Sequence, residues 1–152
     1  MKVYLATDHA GFELKEKVKE YLQKEGYKVE DCGAFEFDKQ DDYPDFIAKA
    51  ARAVSQDPDT SRAIIFGGSG QGEAIVANKY ANVRAVVFYG KVEKILPLSR
   101  EHNNANILSI GARFVDEKEI LRQIKQWLEI PFPKDLRHVR RIEKIKALEQ
   151  NS

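Results

Sequence analysis

Four glycines in six positions, Gly67-Gly68-Ser69-Gly70-Gln71-Gly72, are followed at once by a carboxylate, Glu73. The run stands between an apolar stretch, Ala63-Ile64-Ile65-Phe66, and a helical pattern, Ala74-Ile75-Val76-Ala77-Asn78-Lys79. A backbone stripped of side chains where a strand hands over to a helix lets N–H groups converge on an anion, and the helix dipole adds partial positive charge. Three familiar motifs do not fit. A dinucleotide fingerprint needs its glycines after the first strand and at another spacing, and a Walker loop needs lysine where Glu73 stands. A nucleophile elbow needs glycine where Gln71 stands, which makes Ser69 a poor hydrolase nucleophile. The turn is therefore either a small anion or oxyanion cradle with an acid attached, or a turn rich in glycine for packing alone. Glu73 is correspondingly a base or a helix-start charge.

Other residues have chemistry to offer. Asp8-His9 ends the first strand-like segment and is either plain loop or part of a site. His102, in Arg100-Glu101-His102-Asn103-Asn104, suits a helix end, where the dipole favours it, as well as it suits acid–base work. Arg137 and Arg141 stand four apart on one helix face with Arg140 alongside. Like charges at that spacing repel by about a few tenths of a kcal/mol unless an anion joins them. The face is either a solvated basic one or a bidentate phosphate clamp.

The elements that must position these groups alternate. Strands are predicted at Val3 to Thr7, Lys28 to Asp31, Arg62 to Phe66, Arg84 to Phe88 and Ile107 to Gly111. Helices are predicted over Phe12 to Glu25, from Pro44 to the Asp57-Pro58-Asp59 break, after the glycine turn, over Lys91 to Glu101, and from an Asp116 cap to Leu128. Pro97 is expected to kink or divide the fourth of these. A highly charged last helix runs over 135–149, after Pro131 and Pro133. An acidic loop, Asp38 to Asp42, follows the second strand. Such alternation predicts a single α/β domain over 1–152: a Rossmann-like three-layer sandwich with a five-stranded parallel sheet between helices and a C-terminal helix. The common strand order 2-1-3-4-5 puts the ligand crevice between the loops after strands one and three. Those loops hold Asp8-His9 and the glycine turn.

At 152 residues, 43% apolar and 32% charged, the chain has the composition of a globular domain. A formal charge of +1 gives no global pull toward nucleic acid or membrane, so anion recognition must be local. Cys32 is the only cysteine, which excludes an internal disulfide and a cysteine-rich zinc site. With no signal-like or membrane-spanning stretch, a cytoplasmic location is expected.

Taken together these residues resemble the type B ribose-5-phosphate isomerase family, which also includes galactose-6-phosphate isomerase. The likeness runs from Thr7-Asp8-His9-Ala10-Gly11-Phe12 through Asp42-Tyr43-Pro44, the glycine turn, Ala77-Asn78-Lys79, Arg84-Ala85, Arg100-Glu101-His102-Asn103 and Gly111-Ala112-Arg113 to Arg137-His138-Val139-Arg140-Arg141. The resemblance implies aldose–ketose isomerisation of a sugar phosphate through ring opening and a cis-enediolate, without metal or organic cofactor. It also implies a homodimer, sometimes a dimer of dimers, whose sites draw on both subunits, with helix 135–149 at the interface. By position, His102 opens the sugar ring, with Asp8 at the ring oxygen or nearby hydroxyls. The backbone from Gly67 and Gly68 through Gly70, Gln71 and Gly72, with Ser69, holds the enediolate. His9, Arg113, Arg137 and Arg141 grip the phosphate, and Asn103 binds sugar hydroxyls.

Many family members carry a cysteine base at the position of Gly67, and Cys32 lies outside every matching motif. A second subgroup pairs glycine there with a glutamate base at the position of Glu73, as in this chain. Glutamate has a reference pKa of about 4.3. A helix start lowers it and water exclusion raises it, and the sequence leaves that balance open. The glutamate subgroup points to ribose 5-phosphate and ribulose 5-phosphate. A six-carbon phosphate, of the galactose or allose 6-phosphate type, is the enzymatic alternative, and a non-catalytic sugar-phosphate-binding module is the rival of another class. The segment 89–98, with Lys91, Lys94 and Pro97, departs from the family pattern.

Overall fold

Successive strand residues turn opposite ways, and here both directions are apolar. In β1 (Lys2–Thr7) Val3 and Leu5 join one core cluster, while Ala6 joins a second. Ile64 and Phe66 in β3 (Ser61–Gly67) join the first, and Ala63 and Ile65 the second. A sheet buried on both faces needs two helical covers. In the computed structural model, which describes residues 1–151, these are α1 (Phe12–Lys24), α4 (Ile95–Asn103) and α5 (Glu117–Glu129) on one face, and α2 (Tyr43–Gln56) and α3 (Gln71–Ala77) on the other. β2 (Lys28–Asp31), β4 (Ala85–Phe88) and β5 (Ile107–Gly111) complete a five-stranded sheet whose described pairings are all parallel. The expected three-layer α/β domain is the one observed. No helix among the described residues is long and apolar enough to cross a membrane.

The strand order is β2-β1-β3-β5-β4, so the expected order of the last two strands is corrected. β5 is buried at every residue, whereas Ala85, Val86 and Val87 of β4 are only partly covered. The more deeply buried strand takes the interior position. The exchange leaves the crevice between β1 and β3 intact and pairs Gly67 with Gly111 in register, so the loop after β5 lies beside the glycine turn.

The expected break at Pro97 is also corrected. The helix begins only at Ile95, which puts Pro97 in its first turn, where no backbone N–H is required. At its other end Asn104 adopts a left-handed conformation (φ 44°). There the buried Arg100 donates from Nε to Ile130 O (3.0 Å) and from Nη1 to Asn104 Oδ1 (2.8 Å) and Ala105 O (2.6 Å). Asp116 caps α5 as expected, accepting from the Glu119 N–H at 3.0 Å. The last helix, α6, spans Leu136–Gln150.

Candidate active site

The strand-to-helix turn after β3 is shaped by contacts that only glycine permits. Gly70 is left-handed (φ +73°), and a Cβ on it would crowd Ser109 Oγ at 3.0 Å and the Ile110 carbonyl carbon at 3.1 Å. Ser109 Oγ donates to Gly70 O at 2.7 Å and ties the turn to β5. A Cβ on Gly72 would meet the Tyr43 ring at 2.7 Å, and one on Gly68 would meet the Arg113 guanidinium at 3.0 Å. Arg113, just past β5, also donates its N–H to Gly68 O (3.2 Å). Ser69 Oγ accepts from the Gln71 N–H (3.3 Å), and the Gln71 amide donates to Tyr89 Oη at 2.6 Å. A hollow of about 410 Å³, bounded by Ser69, Tyr89, Lys91 and Phe114, opens beside the turn. The divergent segment 89–98 thus supplies part of its wall.

Glu73, in the first turn of α3, folds its carboxyl group back over Gly67. Any Cβ at position 67 would overlap it. The residue is 4% exposed. Burial raises its pKa above the ordinary carboxylate value, its own backbone N–H pulls the other way, and the Asp8 charge adds to the rise. Desolvation therefore outweighs the helix start.

Asp8 and His9 leave β1 on the other side of the crevice. Asp8, 7% exposed, accepts the Ala10 N–H at 3.0 Å and so caps a 3-10 turn over His9–Gly11. Asp41 Oδ1 takes both N–H groups of His9, the backbone one at 3.0 Å and ring Nδ1 at 2.7 Å. With a carboxylate accepting at Nδ1, the proton sits there and Nε2 is the nitrogen left for a ligand.

The remaining residues stand elsewhere. His102 and Asn103 lie in the last turn of α4, just before β5 begins. His102 stacks on His138 of α6, with ring centroids 4.3 Å apart and planes at 20°. Arg137 and Arg141 flank His138 and are exposed. Asp8, His9, the glycine turn, Glu73 and Arg113 follow the carboxyl ends of the strands; His102, Asn103, Arg137 and Arg141 gather at the amino ends. Five-residue β5 alone separates the two ends by about 17 Å. One chain brings ten of the fourteen expected residues to one end of the sheet and four to the other.

A family model described as ribose/galactose isomerase matches residues 3–145. The chain belongs to the ribose/galactose isomerase family. It is 43% identical over 143 residues to the ribose-5-phosphate isomerase B of Mycolicibacterium paratuberculosis, covering 94% of this chain and 88% of that one. Among solved structures, ribose-5-phosphate isomerase B from Mycoplasma genitalium with bound ribulose-5-phosphate superposes with a TM-score of 0.94 at 36% identity, covering 99% of this chain and 97% of that one. The Clostridium thermocellum enzyme of the same name gives 0.91 at 38% identity, with 99% of each chain covered.

Two groups at this candidate site are not singled out by the sequence. Asp41 is one acid in a run of them, and nothing local marks it as the one that reaches His9. Tyr43, inside the Asp42-Tyr43-Pro44 motif, lays its ring against Gly72. Cys32, by contrast, is inert: its thiol is buried, and burial followed by the Glu30 and Asp31 charges pushes its pKa to about 11. Asp8, His9 and Asp41 hold metal-ligand atom types within 4.8 Å of one another. An ion there would compete with the hydrogen bonds that Asp8 and Asp41 already accept.

Proposed function

We propose that the chain interconverts ribose 5-phosphate and ribulose 5-phosphate, with Glu73 as the carbon base. The relatives carry that activity in their names, and the observation that carries the assignment of the base is the buried Glu73 carboxyl folded over Gly67 at the edge of the glycine cradle. A carboxylate with a raised pKa can take a proton from carbon and return it, as this reaction requires.

The steps follow from the chemistry. Opening the furanose removes the O1 proton and delivers a proton to O4 as the C1–O4 bond breaks, a task for His102 with Asp8 at the ring oxygen. Glu73 then takes the C2 proton, and the electron pair forms the C1=C2 bond of an enediolate whose O1 charge is met by the N–H groups of the cradle and by Ser69. Return of the proton to C1, with transfer of the O2 proton to O1, gives the ketose. His9 and Arg113 from one end of the sheet, and Arg137 and Arg141 from the other, hold the phosphate, while Asn103 binds hydroxyls.

Within one chain the two groups cannot meet, which supports a twofold dimer in which His102, Asn103, Arg137 and Arg141 of a second copy complete the site. Apolar side chains left open fit this arrangement: Ile75 on α3 is 62% exposed, and Leu136 on α6 is 86% exposed. The cytoplasmic setting expected from the sequence is part of the same proposal.

Proton NMR of ribose 5-phosphate in heavy water tests the assignment. Wild type should form ribulose 5-phosphate, and Glu73→Gln should bind the sugar but turn it over at least about a thousandfold more slowly. Comparable rates in the two proteins would remove Glu73 from the reaction. Conversion of galactose or allose 6-phosphate in place of ribose 5-phosphate would move the substrate to six carbons.

A further inference from the structure

We infer that His138 is a positioning residue for His102, a face-to-face imidazole that fixes the plane of the ring-opening histidine and offers its ring face to an imidazolium there. The inference rests on the ring-opening role proposed above. α6 has fifteen residues and a single buried one, His138, which is 3% exposed. Its ring lies 4.3 Å from that of His102 with the planes only 20° apart, and its Nε2 is buried without a hydrogen-bond partner.

That arrangement is wasteful for packing alone, since leucine or phenylalanine would fill the volume without hiding an unpartnered ring nitrogen. It makes sense as electrostatics. The titratable and charged groups around His138 are His102 from α4, Asp135 just before α6, and Arg137 and Arg141 on α6. Burial first, then His102 and the two arginines, hold the pKa of His138 below the ordinary histidine range, with Asp135 opposing. A neutral His138 presents its ring face to His102, and an imidazolium at His102 is attracted to that face as cations are to aromatic rings. Two stacked imidazoliums would repel. The stack therefore accommodates the one proton that ring opening moves, and it aims the His102 nitrogens. Because His138 lies between Arg137 and Arg141, it also fixes the phosphate-binding helix against the ring opener.

Enolisation and ring opening can be read separately. Ribulose 5-phosphate has its 5-oxygen esterified and forms no five-membered ring, so exchange of its C1 protons with heavy water reports the Glu73 step alone. Its conversion to cyclic ribose 5-phosphate needs both steps. In His138→Leu, kcat for interconversion should fall about tenfold or more with KM nearly unchanged, while C1 exchange stays within about threefold of wild type. His138→Phe, which keeps an aromatic face, should recover most of the loss. Thermal melts of both variants report folding, and His102→Ala is the control. Exchange and conversion falling together, or phenylalanine no better than leucine in folded protein, would overturn the inference. Full interconversion by His102→Ala would instead remove the ring-opening role on which it rests.

Discussion

Burying the Glu73 carboxyl costs the fold stability. Its native pKa lies above its ordinary value of 4.5, so the native state holds this proton to higher pH than the unfolded chain does. Below 4.5 both states are protonated and Glu73 is neutral in its effect. As pH rises through the raised native value, stability falls, and above it the buried charge destabilises in full. Glu73→Gln should therefore melt above wild type at pH 7, with the gap closing as pH drops below 4.5. Melting curves at a series of pH values check this, and a gap independent of pH would contradict it. Sequence alone could not decide the point. The helix-start effect is local and readable, but the burial that outweighs it, and the Asp8 charge that adds to it, arise only once the chain has folded. Asp41 was hidden for a similar reason: an acidic run does not say which carboxylate turns inward to hold His9.

At the level of elements, the turn that carries His102 depends on Arg100. Its buried guanidinium ties the end of α4 to Ile130 O, Ala105 O and Asn104 Oδ1. Arg100→Met keeps most of the volume and leaves those acceptors unpaired, so it should destabilise by about 3 kcal/mol. Urea denaturation measures this, and a change under about 0.5 kcal/mol would mean that other donors or water satisfy the turn. The strands and helices were legible because apolar period, glycine stops and the Asp116 cap act within a few residues. The order of β4 and β5 was not. Ala85-Val86-Val87-Phe88 and Ile107-Leu108-Ser109-Ile110 are both short apolar runs, and which is interior depends on pairing across more than forty residues. Pro97 misled because its effect depends on a helix start that segment 89–98 does not advertise.

For the whole molecule, the decisive fact is that the candidate residues occupy opposite ends of one sheet. If each site takes Glu73 from one copy and His102 from another, two dead variants can repair each other. A mixed dimer of Glu73→Gln and His102→Ala has one site with both defects and one with neither. After subunit exchange of equal amounts, random pairing should restore about a quarter of wild-type activity. Recovery on mixing, followed against each variant alone, checks this, and no recovery in protein shown to have exchanged would place each site within a single chain. The glycine turn and the arginine pair are both legible in the sequence as motifs. Their separation is not, because it follows from α4 carrying the chain back to the amino ends of the strands before β5.

The overlap between a Cβ at position 67 and the Glu73 carboxyl has a bearing on descent. A side chain on residue 67 and the Glu73 carboxyl compete for one volume, so a chain carrying both would have to push one aside. If the base sits at residue 73 in this chain, a side chain introduced at residue 67 would have to displace it, so the two positions are expected to change together rather than one at a time.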